Sequence, residues 1–224
     1  MPGRSPSAFP GAVRQRRSDT GEATRRRLLD ASERLIAKYG IDSVTVRDIT
    51  AAAKTDVTAI HYHFGSKDHL IEATVRRALD ALNALRAPLI DELDANGTPT
   101  TRDIARCLVV PAVHVHGTPR PRQRHAVVAA ASRHTVFVAV VLEGTEKNIG
   151  RYLSALERAL PGLSSSILLG RLHYAHTLIH NAQGPGSQLT QKWFEQHSAR
   201  PSKDPTDALI DFVAGGFAGT QSRQ

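Results

Sequence analysis

Apolar residues in this chain recur at intervals of three and four, in long stretches broken by a limited set of Gly and Pro positions. That period predicts helices throughout, an all-α protein. Leu28, Leu35, Ile36 and Tyr39 define a first helix over residues 21–39, with Gly40 as its stop. Val46, Ile49 and Ala53 share a face of a second helix of about two turns, with Thr45 placed to cap it. Val57, Ile60 and Phe64 follow at i, i+3 and i+7, an apolar face that clamps a third short helix, N-capped by Asp56, onto its neighbours. Gly65 ends that helix and Ser66 caps a fourth, which runs through Leu70, Ile71, Val75 and Leu79 towards Arg86 before Pro88 kinks or breaks it. After the Asn96-Gly97 turn, further helices are expected over residues 100–116, 121–134, 136–160, 163–182 and 204–219. Gly117-Thr118-Pro119, Pro161-Gly162 and Gly184-Pro185-Gly186 separate them.

The second and third helices stand back to back across a tight turn, the pattern of a helix-turn-helix. The side of the third helix opposite its apolar face carries Thr55, Thr58, Ala59, His61 and Tyr62: hydroxyls, a small residue and two rings with polar tips. Such a surface suits a groove of base edges, where hydroxyls donate and accept and Ala or Thr methyls meet a thymine methyl. Lys67 follows directly, a cation placed for a phosphate.

The run Tyr62-His63-Phe64-Gly65-Ser66-Lys67, supported by Thr45-Val46-Arg47-Asp48-Ile49, resembles the DNA-binding domain of the TetR family of bacterial transcriptional repressors. The resemblance covers residues 24–79, and the rest of the chain matches only in helical character and length. It implies an N-terminal three-helix DNA-binding domain, a connecting fourth helix and a C-terminal helical domain for ligand binding and dimerisation. By position it adds Thr45, Arg47 and Lys54 to the DNA-contacting residues. Two positions depart from the family pattern. Lys54-Thr55 stands where Gly-Val is usual, so Lys54 must adopt or avoid the left-handed backbone that Gly takes readily. His61 stands where Tyr or Asn is frequent, which leaves its contact and the preferred operator open.

Composition narrows the partners. The 224 residues carry a formal net charge of +8, which favours a polyanion, and the helix-turn-helix selects DNA over an anionic membrane surface. Cys107 is the single cysteine, so no intrachain disulfide can form, and a reducing cytoplasm is the expected location. Residues 136–142, the longest apolar run, are too few to span a bilayer, and the basic N-terminus lacks a signal-peptide core. Residues 1–20, rich in Pro, Ser, Gly and Arg, read as a disordered arm. Its Arg14, Arg16 and Arg17 either follow the DNA backbone or minor groove or are simply solvated. Arg25, Arg26 and Arg27 open the first helix, where they either reach phosphate or form a solvated face. The domains expected are thus the arm 1–20, the helix-turn-helix domain 21–68 and the helical domain 69–224.

Within the helical domain, His114, Arg133, His134, Phe137, His173 and His176 are candidate lining for an effector pocket, being polar groups amid apolar helices, with ordinary packing as the alternative. His173, His176 and His180 fall on one helix face at spacings that can hold a metal, but no Cys, Asp or Glu joins them at ligand spacing. No metal or other cofactor is expected. Arg120, Arg122 and Arg124 form a charged loop. Leu168, Leu172, Ala175 and Ile179, with Gly215 and Gly219 one turn apart, are the candidate dimer contacts, on the resemblance to the family's four-helix interface. The chain has no phosphate-binding Gly loop, no G-x-S-x-G elbow and no H-E-x-x-H pair, so an enzyme is not expected. The expectation is a homodimeric repressor released from a near-palindromic operator by a small molecule. The alternatives are a sequence-indifferent architectural DNA binder and a metal-responsive regulator.

Overall fold

The computed structural model describes residues 10–95, 97–113, 120–181, 192, 193, 196 and 205–219, with the side chains of residues 10–19, 180, 181 and 205 outside the description. Among the described residues the structure is helical with no strand. In order these are α1 (Pro10–Tyr39), α2 (Val46–Ala53), α3 (Val57–Phe64), α4 (Lys67–Ala95), α5 (Thr101–Val113), α6 (Arg120–Ser132), α7 (Val138–Ala159), α8 (Ser165–Asn181) and α9 (Pro205–Ala218). The chain divides into two compact units, Met1–Thr74 and Val75–Gln224, so α4 contributes residues to both.

In the first unit α1, α2 and α3 pack on one another. Leu28, Ile36, Ile49 and Ile60 are fully buried there, each contributing roughly 1.5–3 kcal/mol. The short helices are held at their ends by side chains. Thr45 and Asp48 form a reciprocal capping box: the Asp48 N–H donates to the Thr45 hydroxyl oxygen at 3.2 Å, and the Thr45 N–H donates to the Asp48 carboxylate at 2.9 Å. The Asp56 carboxylate accepts from the Ala59 N–H at 3.0 Å, and Ser66 Oγ accepts from the His69 N–H at 3.1 Å. Gly40 ends α1 with φ 81°.

Three expectations about helix limits change. α1 begins at Pro10, inside the stretch expected to be an arm, because Pro suits the first position of a helix and no proline interrupts the residues that follow. Arg14, Arg16 and Arg17 therefore lie on helical backbone, with side chains outside the description. α4 continues through Pro88 to Ala95. The donor that Pro88 lacks leaves the carbonyl of Ala84, an exposed residue, accessible to water. Arg120, Arg122 and Arg124 belong to α6, all three in its first turn and a half, and not to a loop.

The second unit has its own core, in which α9 lies along α5, α5 meets α7 and α8, and α9 also meets α8. Arg102 of α5 pairs with Asp207 and Asp211 of α9. Arg151 of α7 bridges Asp91 and Asp94 of α4, each at 2.6 Å. Leu168, Leu172, Ala175 and Ile179 of α8 are buried in this core. The residues expected at a dimer contact thus serve the chain's own interior, because the α8 face they share is the one turned to α5, α7 and α9. Left exposed on α8 are Ile167, Leu169, Tyr174 and Leu178, and on α9 Phe212. Gly219 differs from expectation too. It has φ 37° and stands where an added Cβ would meet the Arg171 guanidinium at 2.7 Å, and that guanidinium donates to the Phe217 carbonyl. Gly219 makes room for a C-terminal cap, whereas Gly215 faces open space.

Candidate nucleic-acid interface

The turn between α2 and α3 is made by Lys54, at φ 53° and ψ 52°, in the left-handed region that the position requires. Its N–H donates to the Ala51 carbonyl at 3.2 Å, and the Thr55 N–H donates to the Thr50 carbonyl at 3.0 Å. Lys54 therefore follows the path of the expected Gly and retains an exposed cationic side chain.

α3 buries Ile60, while Thr58, His61 and Tyr62 are exposed, Tyr62 at 84 %. Val57 departs from the expected clamp: at 41 % exposed it lies beside the polar face and adds an apolar contact there. Phe64 is half-buried, with the Arg25 guanidinium 5.2 Å above its ring. That contact assigns one of the three consecutive arginines of α1 to packing and leaves Arg26 and Arg27 exposed, Arg27 donating to Thr24 Oγ1 at 3.0 Å.

Several groups on this face are already oriented. Thr58 Oγ1 donates to Asp56 Oδ1 at 2.5 Å, so its lone pairs and methyl are what it can offer outward. His61 Nδ1 is 3.0 Å from the Gly65 carbonyl, which selects the tautomer with the proton on Nδ1 and leaves Nε2 as an acceptor. The Tyr62 ring stands edge-on to His63, with centroids 4.9 Å apart. Thr45 spends its hydroxyl on Asp48, to which it donates at 2.6 Å. Thr55 and Ala59 are half-buried, Arg47 is exposed, and Lys67 is half-buried at the start of α4. Hydrogen bonds from Thr45 and then its backbone hold the Asp48 carboxyl below the usual range, and Thr58 followed by Ala59 does the same for Asp56.

Among the described residues the pocket candidates do not converge. His114 lies outside the described residues. Arg133 is exposed, and the His134 ring rests on buried Phe137 with centroids 4.9 Å apart. His173 is exposed, and the His180 side chain lies outside the description. Of the described candidates, His176 alone reaches a cavity, of about 10 Å³, whose other walls are Arg86, Thr145, Asn148, Ile149 and Tyr152. Sequence reasoning passed over Arg86 and Tyr152. A signal existed, since Leu79, Leu82 and Arg86 follow at i, i+3 and i+7, which puts a charge on an apolar stripe.

A capped two-helix pair on a three-helix core, followed by a second helical unit, is a helix-turn-helix domain joined to a helical unit. The sequence profile described as "Bacterial regulatory proteins, tetR family" matches residues 28–74. That match covers about a fifth of the chain and coincides with the helix-turn-helix. The HTH-type nicotine-responsive transcriptional repressor HdnoR of Paenarthrobacter nicotinovorans is 36% identical over 58 residues, 26% of this chain and 30% of that protein. The HTH-type transcriptional regulator BetI of Rhizobium meliloti is 35% identical over 78 residues, 35% of this chain and 37% of that protein. The chain thus matches about a third of the length of these relatives. Over the longer range the fold is similar to that of a TetR-like transcriptional regulator from Rhodococcus sp. RHA1, with TM-score 0.64 and 17% identity over 87% of this chain and 93% of that one. It is also similar to a transcriptional regulator from Saccharomonospora viridis in complex with choline, with TM-score 0.57 and 18% identity over 84% and 92% of the two chains.

Proposed function

We propose that the chain is a homodimeric transcriptional repressor that reads a near-palindromic operator with α3 and leaves it when a small molecule binds the helical unit. The observation that carries this reading is the asymmetry of α3: Ile60 is fully buried while Thr58, His61 and Tyr62 stand exposed on the other side. Arg47, Lys54 and Lys67 flank that face and supply the phosphate contacts, while Thr58, His61 and Tyr62 meet base edges. Thr45 acts by fixing the start of α2. The arginines at positions 14, 16 and 17 add sequence-indifferent affinity to the same duplex.

Dimerisation has support in the helical unit. Tyr174 is 72 % exposed on α8 and Phe212 69 % exposed on α9, and Gly215 of α9 faces open space. Two copies meeting on this face would bury that apolar surface, and two-fold symmetry would set α3 of each copy on half-sites one helical turn, about 34–36 Å, or multiples of it apart. The repressor described as nicotine-responsive and the regulator in complex with choline support a small-molecule effector, which the reading places in the helical unit. The protein acts in the cytoplasm and is not an enzyme in this reading.

The test is capture of fragmented DNA from the source organism by the purified chain at near-physiological salt with excess competitor, followed by sequencing. Enrichment of a few near-palindromic sites by about a thousandfold or more over bulk is the expected result. Uniform recovery would instead assign the chain to the architectural binders, which the charge of +8 permits.

A further inference from the structure

Among the described residues of the second unit, Arg86 is a buried charge with little to meet it. It is 7 % exposed, its Nε is buried without a hydrogen-bond partner, and its Nη1 reaches only Asn83 Oδ1 at 3.3 Å. That amide oxygen is already shared, since Asn148 Nδ2 donates to it at 2.9 Å. Among the described residues no carboxylate pairs with Arg86. The rest of the cavity wall offers no anion either. The Thr145 hydroxyl donates to the Val141 carbonyl at 2.8 Å, and the Tyr152 hydroxyl donates to the Cys107 carbonyl at 3.3 Å. Burial, the leading cause, pushes the Tyr152 phenol well above its usual range, so it stays neutral. A guanidinium does not give up its proton in a protein, and a buried ion without a partner is costly.

The small cavity sets a second constraint. Its volume of about 10 Å³ takes one water or one ligand oxygen, so a larger molecule enters only by parting α4, α7 and α8, which supply the lining. Tight closure without ligand and a buried, unmatched cation are together what an effector site needs, because a ligand shifts a conformational balance only through its preference for one state.

We propose that this cavity seats the carboxylate of an acidic small-molecule effector, with Arg86 as the charge that recognises it and Asn148 and His176 beside it. The assignment rests on the effector reading above and gives that reading a ligand class. The carboxylate accepts from Arg86 Nε and Nη1, releasing Asn83 Oδ1 to Asn148 alone, and the apolar remainder of the molecule lies against Ile149. A free small anion and an acid with an apolar tail share this chemistry and differ in whether the helices must part.

The test uses the full chain without DNA. Thermal unfolding is followed over concentration series of formate, hexanoate, hexanol and hexylamine at constant ionic strength, for wild type, Arg86→Met and Arg86→Lys. Saturable elevation of the midpoint by hexanoate, absent with hexanol and hexylamine, is expected. Arg86→Met should retain the wild-type midpoint without ligand or exceed it, and should lose the hexanoate response. If Arg86→Met does not fold, Arg86→Lys keeps the charge without the fork and should weaken the response at least about tenfold. A formate response equal to that of hexanoate supports the site as one for a small free anion. The proposal is overturned if neither acid exceeds its uncharged or cationic counterpart, or if the response is undiminished in the Arg86 variants. Acid-specific binding by a chain that captures no operator would retain this site and remove the repressor reading, whereas captured operators without acid binding would do the reverse.

Discussion

Tyr152 of α7 donates its hydroxyl to the carbonyl of Cys107 in α5, at 3.3 Å. Within α5 that carbonyl would ordinarily receive the N–H of the residue four positions on, but that residue is Pro111, which has none. A tyrosine from the neighbouring helix thus replaces a donor that the sequence removed. Tyr152→Phe should cost about 1–3 kcal/mol by leaving a buried carbonyl unmet, and Pro111→Ala should recover part of that loss in the double variant. Urea unfolding of the four proteins gives the coupling directly. Additive effects would mean that the hydroxyl does not replace the missing donor.

Lys54 holds a left-handed backbone at a cost of roughly 1–2 kcal/mol that glycine does not bear. Lys54→Gly should therefore stabilise the chain by about 1 kcal/mol. If Lys54 also meets phosphate, the same variant should lower the slope of log affinity against log salt by about 0.9, equally for all sequences. Greater stability with no change in salt slope would confine Lys54 to the turn.

Much of this was legible in the sequence. Thr45 and Asp56 cap α2 and α3 as their side-chain chemistry predicts, and Gly40 and Ser66 stop and start their helices as expected. Pro88 does not end α4, because a missing donor matters little where water reaches the carbonyl. Faces were harder to assign than periods. Leu168 and Tyr174 lie on the same amphipathic helix, and periodicity cannot say which apolar stripe meets the chain's own core and which is left outside. Arg86 was missed because its surroundings come from α7 and α8, some sixty to ninety residues away in the chain.

The two stripes of α8 can be separated. Leu168→Ala should destabilise the fold by about 2–5 kcal/mol, as removal of a fully buried side chain does. Tyr174→Glu and Phe212→Glu should leave the unfolding free energy of the chain near that of wild type and convert a dimer to a monomer in sedimentation. Retention of the dimer in both glutamate variants would move the interface elsewhere.

Acid should loosen the helix starts together. Asp48 and Asp56, and Asp103 beside Thr100 at the start of α5, are all held below the usual carboxylate range, first by a threonine hydroxyl and then by a backbone N–H. A carboxyl with a depressed folded value stabilises the fold fully above its unfolded value, near 3.9, and loses that contribution as pH falls towards the folded value. Unfolding measured from pH about 5 down to about 2 should show this loss. It should be shallower in the combined Asp48→Asn, Asp56→Asn and Asp103→Asn variant, whose amides still cap but do not titrate.

Pro88 sits half a turn from Arg86 in a helix of 29 residues, roughly 43 Å long. The gap in the backbone ladder at Ala84 is where that length resists bending least. Amide exchange in residues 85–90 should slow in Pro88→Ala, and equal rates would deny the soft point. A rod with one pliant section bends there whatever loads it, so a displacement of Arg86 is converted to a change of angle before it can become a slide along the helix axis.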